Sequence, residues 1–120
     1  MITILPVLLH PKSIGEVVIN MERPDDPPVI NPKYLSNEKD VETLIKGIRI
    51  IQRLVKSKAM KELGARFNNR VFPGCEDFIF DTDEYWRCYV KHLTLTSYHP
   101  VGTCKMGSLE NNGVVDHRLR

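Results

Sequence analysis

Val41, Leu44, Ile45, Ile48, Ile51 and Val55 recur at intervals of three and four residues, the longest helical period in this 120-residue chain. Glu42, Lys46, Arg49, Arg53 and Lys56 fall mostly on the opposite side, so the spacing predicts one amphipathic helix with a single apolar stripe. Ser36 or Asn37 can cap its start, and Glu38 and Asp40 lie in the first turn, where the helix dipole favours carboxylates. Lys46, Arg49, Arg53, Lys56, Lys58 and Lys61 make a basic face. Acids interleave with them and no aromatic residues accompany them, so the face reads as solvated surface rather than a nucleic-acid contact.

Upstream of that helix the period changes to two. Between Ser13 and Glu22, Val17, Ile19 and Met21 share one side, and Glu16, Asn20 and Glu22 share the other with Val18, which predicts a half-buried strand. Pro24-Asp25-Asp26-Pro27-Pro28 ends it in a turn, and Val29 to Tyr34 reads as a short extended segment because Pro32 keeps the residue before it out of the helical region. The apolar start, Ile2 to Leu9, has no basic n-region and no small-residue cleavage site, so a buried strand suits it better than a targeting signal. Downstream, Asn68-Asn69-Arg70 and Phe72 to Cys75 form a loop. Asp81 with Glu84 three residues on resembles a capping box, and it predicts a second helix through Tyr85, Trp86, Tyr89, Val90 and Leu93 that ends near Thr94 to Thr96. Trp86 and Tyr89 are expected to pack inward.

Composition narrows the function classes. A formal net charge of +2 is too small to argue for nucleic acid or an anionic membrane. No apolar run approaches the roughly 20 residues that cross a bilayer. The three cysteines, at 75, 88 and 104, show no C-x-x-C, and the histidines at 10, 92, 99 and 117 stand at no zinc-ligand spacing, so no metal site is expected. An odd count permits one disulfide: Cys75 lies ahead of the second helix and Cys88 within it, which makes them the pair, while three reduced cysteines agree equally well with the spacing.

The densest chemistry lies near the end. Tyr98-His99-Pro100-Val101-Gly102-Thr103-Cys104-Lys105-Met106-Gly107 joins one histidine to a Pro-then-Gly bend, a hydroxyl, a thiol and a second glycine, and Gly113-Val114-Val115-Asp116 and Leu119-Arg120 follow in order. Its glycines match neither G-x-G-x-x-G nor G-x-x-x-x-G-K-[ST], so it is no phosphate loop. The block closely resembles the signature of the glucose–methanol–choline (GMC) family of flavin-dependent alcohol oxidoreductases. Pro11-Lys12-Ser13-Ile14-Gly15 also resembles that family's lead-in to a strand, with Ile14 where an arginine is often seen. Cys75 and Tyr85-Trp86-x-Cys88 are most like the insect glucose dehydrogenase-type branch, which favours an extracellular setting, while choline dehydrogenases carry a very similar block around the histidine.

That resemblance implies an α+β fold: a partial substrate domain of antiparallel strands with flanking helices, residues 1–96, then an active-site loop with the start of the segment returning to the flavin domain, residues 97–120. The nucleotide-binding domain is absent from this stretch. The resemblance also implies FAD as cofactor, Tyr98, His99, Pro100 and Val101 as flavin contacts, and His99 as catalytic base. Oxidising an alcohol removes a hydroxyl proton and a hydride; no side chain accepts the hydride, whereas imidazole, with an ordinary pKa of about 6.5, suits the proton. The substrate would be a primary alcohol or sugar hydroxyl, and the electron acceptor quinone-like or oxygen. A second catalytic histidine or asparagine would fall after Arg120, so the stretch alone is expected to be inactive. The alternatives are a truncated or degenerate non-catalytic copy and a choline dehydrogenase-like member. Thr103 is expected to bond within the loop, Cys104 and Met106 to pack, and Asp116 to serve a turn.

Overall fold

In the computed structural model, which describes residues 2–120, the helical period becomes helix α1, Glu38–Val55. Asn37 is its cap, its Oδ1 accepting the backbone N–H of Lys39 at 3.0 Å. Val41, Leu44, Ile45 and Ile48 are buried, and at the last turns the covered side passes to Gln52, with Ile51 and Val55 only half-buried. A short helix α2, Lys58–Glu62, follows under a Ser57 cap; five residues are too few to show a period, so no local pattern marks it.

The stripe of α1 is covered by helix α3, Asp83–Leu93, through buried Tyr85, Trp86 and Val90, with Cys75 completing the core. Trp86 sits in a set of edge-on rings, its centroid 6.0 Å from Phe67, 5.9 Å from Phe80 and 5.3 Å from Tyr89. Offset rings of this kind attract beyond their buried area. Trp86 and the half-buried Tyr89 thus pack inward as expected.

The cap of α3 differs from the expectation. Thr82 takes that place, its Oγ1 accepting from Tyr85 N at 3.2 Å. Asp81 stands one residue earlier in the left-handed region, φ 71°, and turns its carboxylate toward α1. There Oδ1 accepts from Gln52 Nε2 at 2.6 Å, from Trp86 Nε1 at 2.8 Å and from Arg49, whose guanidinium also reaches the Asp81 carbonyl at 2.8 Å and Asp83 at 2.7 Å. Arg49, read from sequence as solvated surface, is therefore tied to the start of α3. Glu38 and Arg87 form a further ion pair between the two helices.

The strand expectations hold only in part. Strand β1 is Glu16–Val18 and strand β2 is Val29–Asn31, paired antiparallel with Val17 opposite Ile30. That is far shorter than Ser13 to Glu22, and all six strand residues are exposed rather than half-buried. Gly15 packs against Asn31 O and Pro32 so closely that any side chain would collide, which fixes the start of the hairpin. Ile2 to Leu9 forms no strand and is mostly exposed. Pro6 cannot donate a ladder hydrogen bond, and none of the described residues pairs with this segment. The α+β expectation is met by one two-stranded antiparallel sheet beside the helices.

Two ties hold the connections. Asp40, buried on α1, accepts from Lys12 N and Ser13 N at 2.8 Å each and from Ser13 Oγ at 2.6 Å, and Ser13 Oγ in turn accepts from Asn37 N at 3.0 Å. Burial by itself would raise the Asp40 pKa, but these donors outweigh it and hold the carboxyl below its ordinary value. Asp40→Ala strands those donors and should lower unfolding free energy by about 2–3 kcal/mol in denaturant titrations of the protein carrying this chain. Because the folded-state pKa is the lower one, the carboxylate stabilises fully above the ordinary carboxylate range. That contribution should fade as pH falls through the depressed folded value, and Asp40→Ala should lack this acid-dependent part of the loss.

The second tie is covalent. Cys75 and Cys88 are disulfide-bonded, Cα–Cα 5.9 Å, while Cys104 is free and exposed. A loop of this size restricts the unfolded chain by about 2–4 kcal/mol. Peptide mass mapping of the unreduced protein should find Cys75 joined to Cys88, and metal-free reduction should lower the melting midpoint. A linkage through Cys104 would contradict this.

Candidate active site

Helix α3 ends at Leu93, Thr94 is extended, and the chain runs on through Leu95 and Thr96 without regular structure. Thr96 Oγ1 then accepts the Tyr98 N–H at 3.2 Å and helps to turn the backbone. Tyr98 lies in the left-handed region at φ 63°, a costly setting for a bulky side chain, and Gly102 does the same at φ 82° without cost. The two reversals bracket His99, Pro100 and Val101. Tyr98 is 91% exposed and Val101 62%, and His99 is exposed and hydrogen-bonds to none of the described residues.

The segment after this ridge supports itself locally. Met106 and Val115 form a parallel bridge, Gly107 N donates to Val115 O at 3.0 Å, and Val114 N donates to Lys105 O at 2.7 Å. Gly113 lies directly on Gly107, a contact with no room for a Cβ. Lys105 Nζ reaches Asn111 O at 3.0 Å. Asp116 closes the final turn as expected, accepting from Arg120 N at 3.0 Å and Arg118 N at 2.8 Å, and these donors lower its pKa. Cys104 and Met106 do not pack as expected: both are exposed, because the bend carries them away from the α1–α3 core.

Residues 96–103 border a broad, open concavity together with Leu44, Ile48, Phe72, Val90 and the segment Ile2 to Leu9. The four residues singled out from the sequence, Tyr98, His99, Pro100 and Val101, thus share one exposed ridge at an apolar hollow. An imidazole so placed can take up or release a proton, while the ring of Tyr98 and the side chain of Val101 offer a surface for a flat partner.

Sequence reasoning missed one grouping. His92 lies one turn after Cys88 on α3, and its Nδ1 is 3.7 Å from Cys88 Sγ and 3.9 Å from Cys75 Sγ. The four-residue spacing of Cys88 and His92 on a predicted helix was the available signal.

Over 120 residues the chain is 42% identical to glucose dehydrogenase (FAD, quinone) of Drosophila pseudoobscura pseudoobscura, covering 99% of this chain and 19% of that protein. It is 40% identical to the Drosophila melanogaster protein of the same name, with the same coverage. Choline oxidase of Arthrobacter globiformis is 31% identical over 121 residues, 98% of this chain and 21% of that protein. The chain therefore spans about a fifth of the length of these relatives. Residues 11–120 match the family described as GMC oxidoreductase, and the chain belongs to that family.

Proposed function

We propose that the protein carrying this chain is an FAD-dependent oxidoreductase acting on the CH–OH group of a primary alcohol or sugar, with a quinone-like acceptor or oxygen receiving the electrons. The observation that carries this reading is His99, exposed between two left-handed residues beside an apolar concavity and hydrogen-bonded to none of the described residues. Family membership and the names of the Drosophila relatives support FAD and a sugar-type donor. The ridge fits the ring of a flavin in the character of its surface: an aromatic ring, a rigid proline and an aliphatic side chain, all exposed. Tyr98, His99, Pro100 and Val101 would line the ring, and the pyrophosphate would be held by residues outside this stretch. FAD, when bound, supplies the acceptor for the hydride that no side chain can take.

In this reading His99 accepts the hydroxyl proton, and Tyr98 and Gly102 fix the angle at which the imidazole is offered. Residues 1–96 act as part of the substrate domain and 97–120 as the active-site loop with the start of the return to the flavin domain. A general base of this kind contributes about 10²- to 10⁴-fold in rate.

His99→Ala in the full-length protein should leave FAD content unchanged and slow anaerobic bleaching of the flavin by an alcohol about 100-fold or more. The acid limb of the rate-against-pH profile should flatten in the same variant. His117→Ala, in the exposed final turn, should bleach at the parental rate. Parental bleaching in His99→Ala would remove this residue as the base, and a parent whose flavin is reduced by neither alcohols nor sugars would favour a non-catalytic copy.

A further inference from the structure

We propose that Cys75, Cys88 and His92 form a reduction-gated site for zinc, in which the metal replaces the disulfide as the clasp between the 72–80 loop and α3. The donor atoms of these three residues lie within 4.8 Å of one another. Zinc with bonds of about 2.3 Å to sulfur and about 2.0 Å to nitrogen needs tetrahedral S···N separations of about 3.6 Å. The observed separations of His92 Nδ1 from the two sulfurs, 3.7 and 3.9 Å, meet that within a few tenths of an ångström. The remaining requirement is a sulfur–sulfur spacing of about 3.8 Å, the ordinary contact distance that two thiols adopt once the bond between them is broken.

The histidine is held beside the two sulfurs, and binding a metal through Nδ1 requires the tautomer protonated at Nε2. Its ring packs on Phe72 with centroids 5.9 Å apart, Nδ1 lies 2.9 Å from the Cys88 carbonyl, and a side chain at Gly74 would already touch Nε2 at 3.5 Å. On metal binding Nδ1 exchanges its contact with the Cys88 carbonyl for the cation. Cys75 is fully buried, Cys88 is half-buried and His92 is exposed, so both reductant and cation approach from the α3 side. Three protein ligands leave the fourth position to water.

The chemistry balances in two steps. A dithiol reductant gives two electrons and two protons to the Cys75–Cys88 bond, each sulfur becoming a thiol while the reductant closes to its own disulfide. Zinc then binds both sulfurs as thiolates and displaces two protons to solvent. The same two chain segments are joined in either state, so the loop keeps its place against the helix that leads to His99 under oxidising and reducing conditions alike. The site stands independently of the role assigned to His99.

Cobalt(II) is the direct probe, used on the full-length protein after reduction with a phosphine and anaerobic desalting. One equivalent should bring up a thiolate-to-cobalt charge-transfer band with tetrahedral ligand-field bands. Zinc should bleach them, and unreduced protein should show none. Cys88→Ser should abolish the band, Cys104→Ser should retain it, and His92→Ala should weaken cobalt binding at least about tenfold. Zinc should also raise the melting midpoint of the reduced parent and not of reduced Cys88→Ser. A reduced protein that takes up no cobalt, folded or unfolded, overturns the proposal. So does a band that survives Cys88→Ser or keeps full affinity in His92→Ala.

Discussion

One carboxylate oxygen, Oδ1 of Asp81, organises the helical part of this chain. It accepts from Gln52 and Arg49 on α1 and from Trp86 on α3, and so fixes the height at which the two helices meet. Gln52 is buried, and its side chain would be costly there without such a partner. The hydrogen bonds from Gln52, Trp86 and Arg49 outweigh the opposing effect of burial and keep the Asp81 carboxyl below its ordinary pKa. Among the described residues no buried side-chain nitrogen or oxygen is left without a partner. The apolar stripe supplies most of the attraction between α1 and α3, and the Asp81 cluster selects one register among those the stripe alone would allow.

The ties through Asp40 and through Cys75–Cys88 extend that unit outward. Asp40 fastens the Lys12–Ser13 lead-in to the first turn of α1, which places the hairpin at one end of the helix pair. The disulfide fastens the 72–80 loop to the middle of α3, which leaves the end of α3 as a firm base for the chain that continues to His99. The ridge at 98–102 then needs few contacts of its own. Its shape is set by two backbone reversals and by the small self-bonded unit that follows, where Gly107 and Gly113 touch.

Much of the exposed surface is apolar for a physical reason visible in the elements themselves. A two-stranded hairpin has two faces and two edges, and among the described residues the helices pack chiefly on one another. Val17, Ile19, Ile30 and Met21 therefore remain exposed, as do Ile2, Leu5 and Leu9. The alternation around Val17 marked a strand that forms over Glu16–Val18 only, and the burial it implied finds no covering layer among the described residues. A stretch covering about a fifth of its relatives' length carries such patterns without the surfaces that satisfy them.

What the sequence determined by itself is what local periodicity and motif identity encode. The course of α1 through Val55, a cap at Ser36 or Asn37, the inward packing of Trp86, the turn role of Asp116 and the membership signalled by Tyr98 to Gly107 were all legible, because each rests on residues a few positions apart. Tertiary structure alone decided what depends on distant residues meeting. Asp81 was chosen as hub rather than cap because Arg49 and Gln52, some thirty residues earlier, present donors to it. Cys75 was joined to Cys88 beside His92 because packing of the 72–80 loop on α3 brought their sulfurs together, whereas spacing alone agreed equally with free thiols. His99 became an exposed group at a hollow because the hollow is formed by α1, α3 and the N-terminal segment together, and no local pattern describes a surface shared by three parts of a chain.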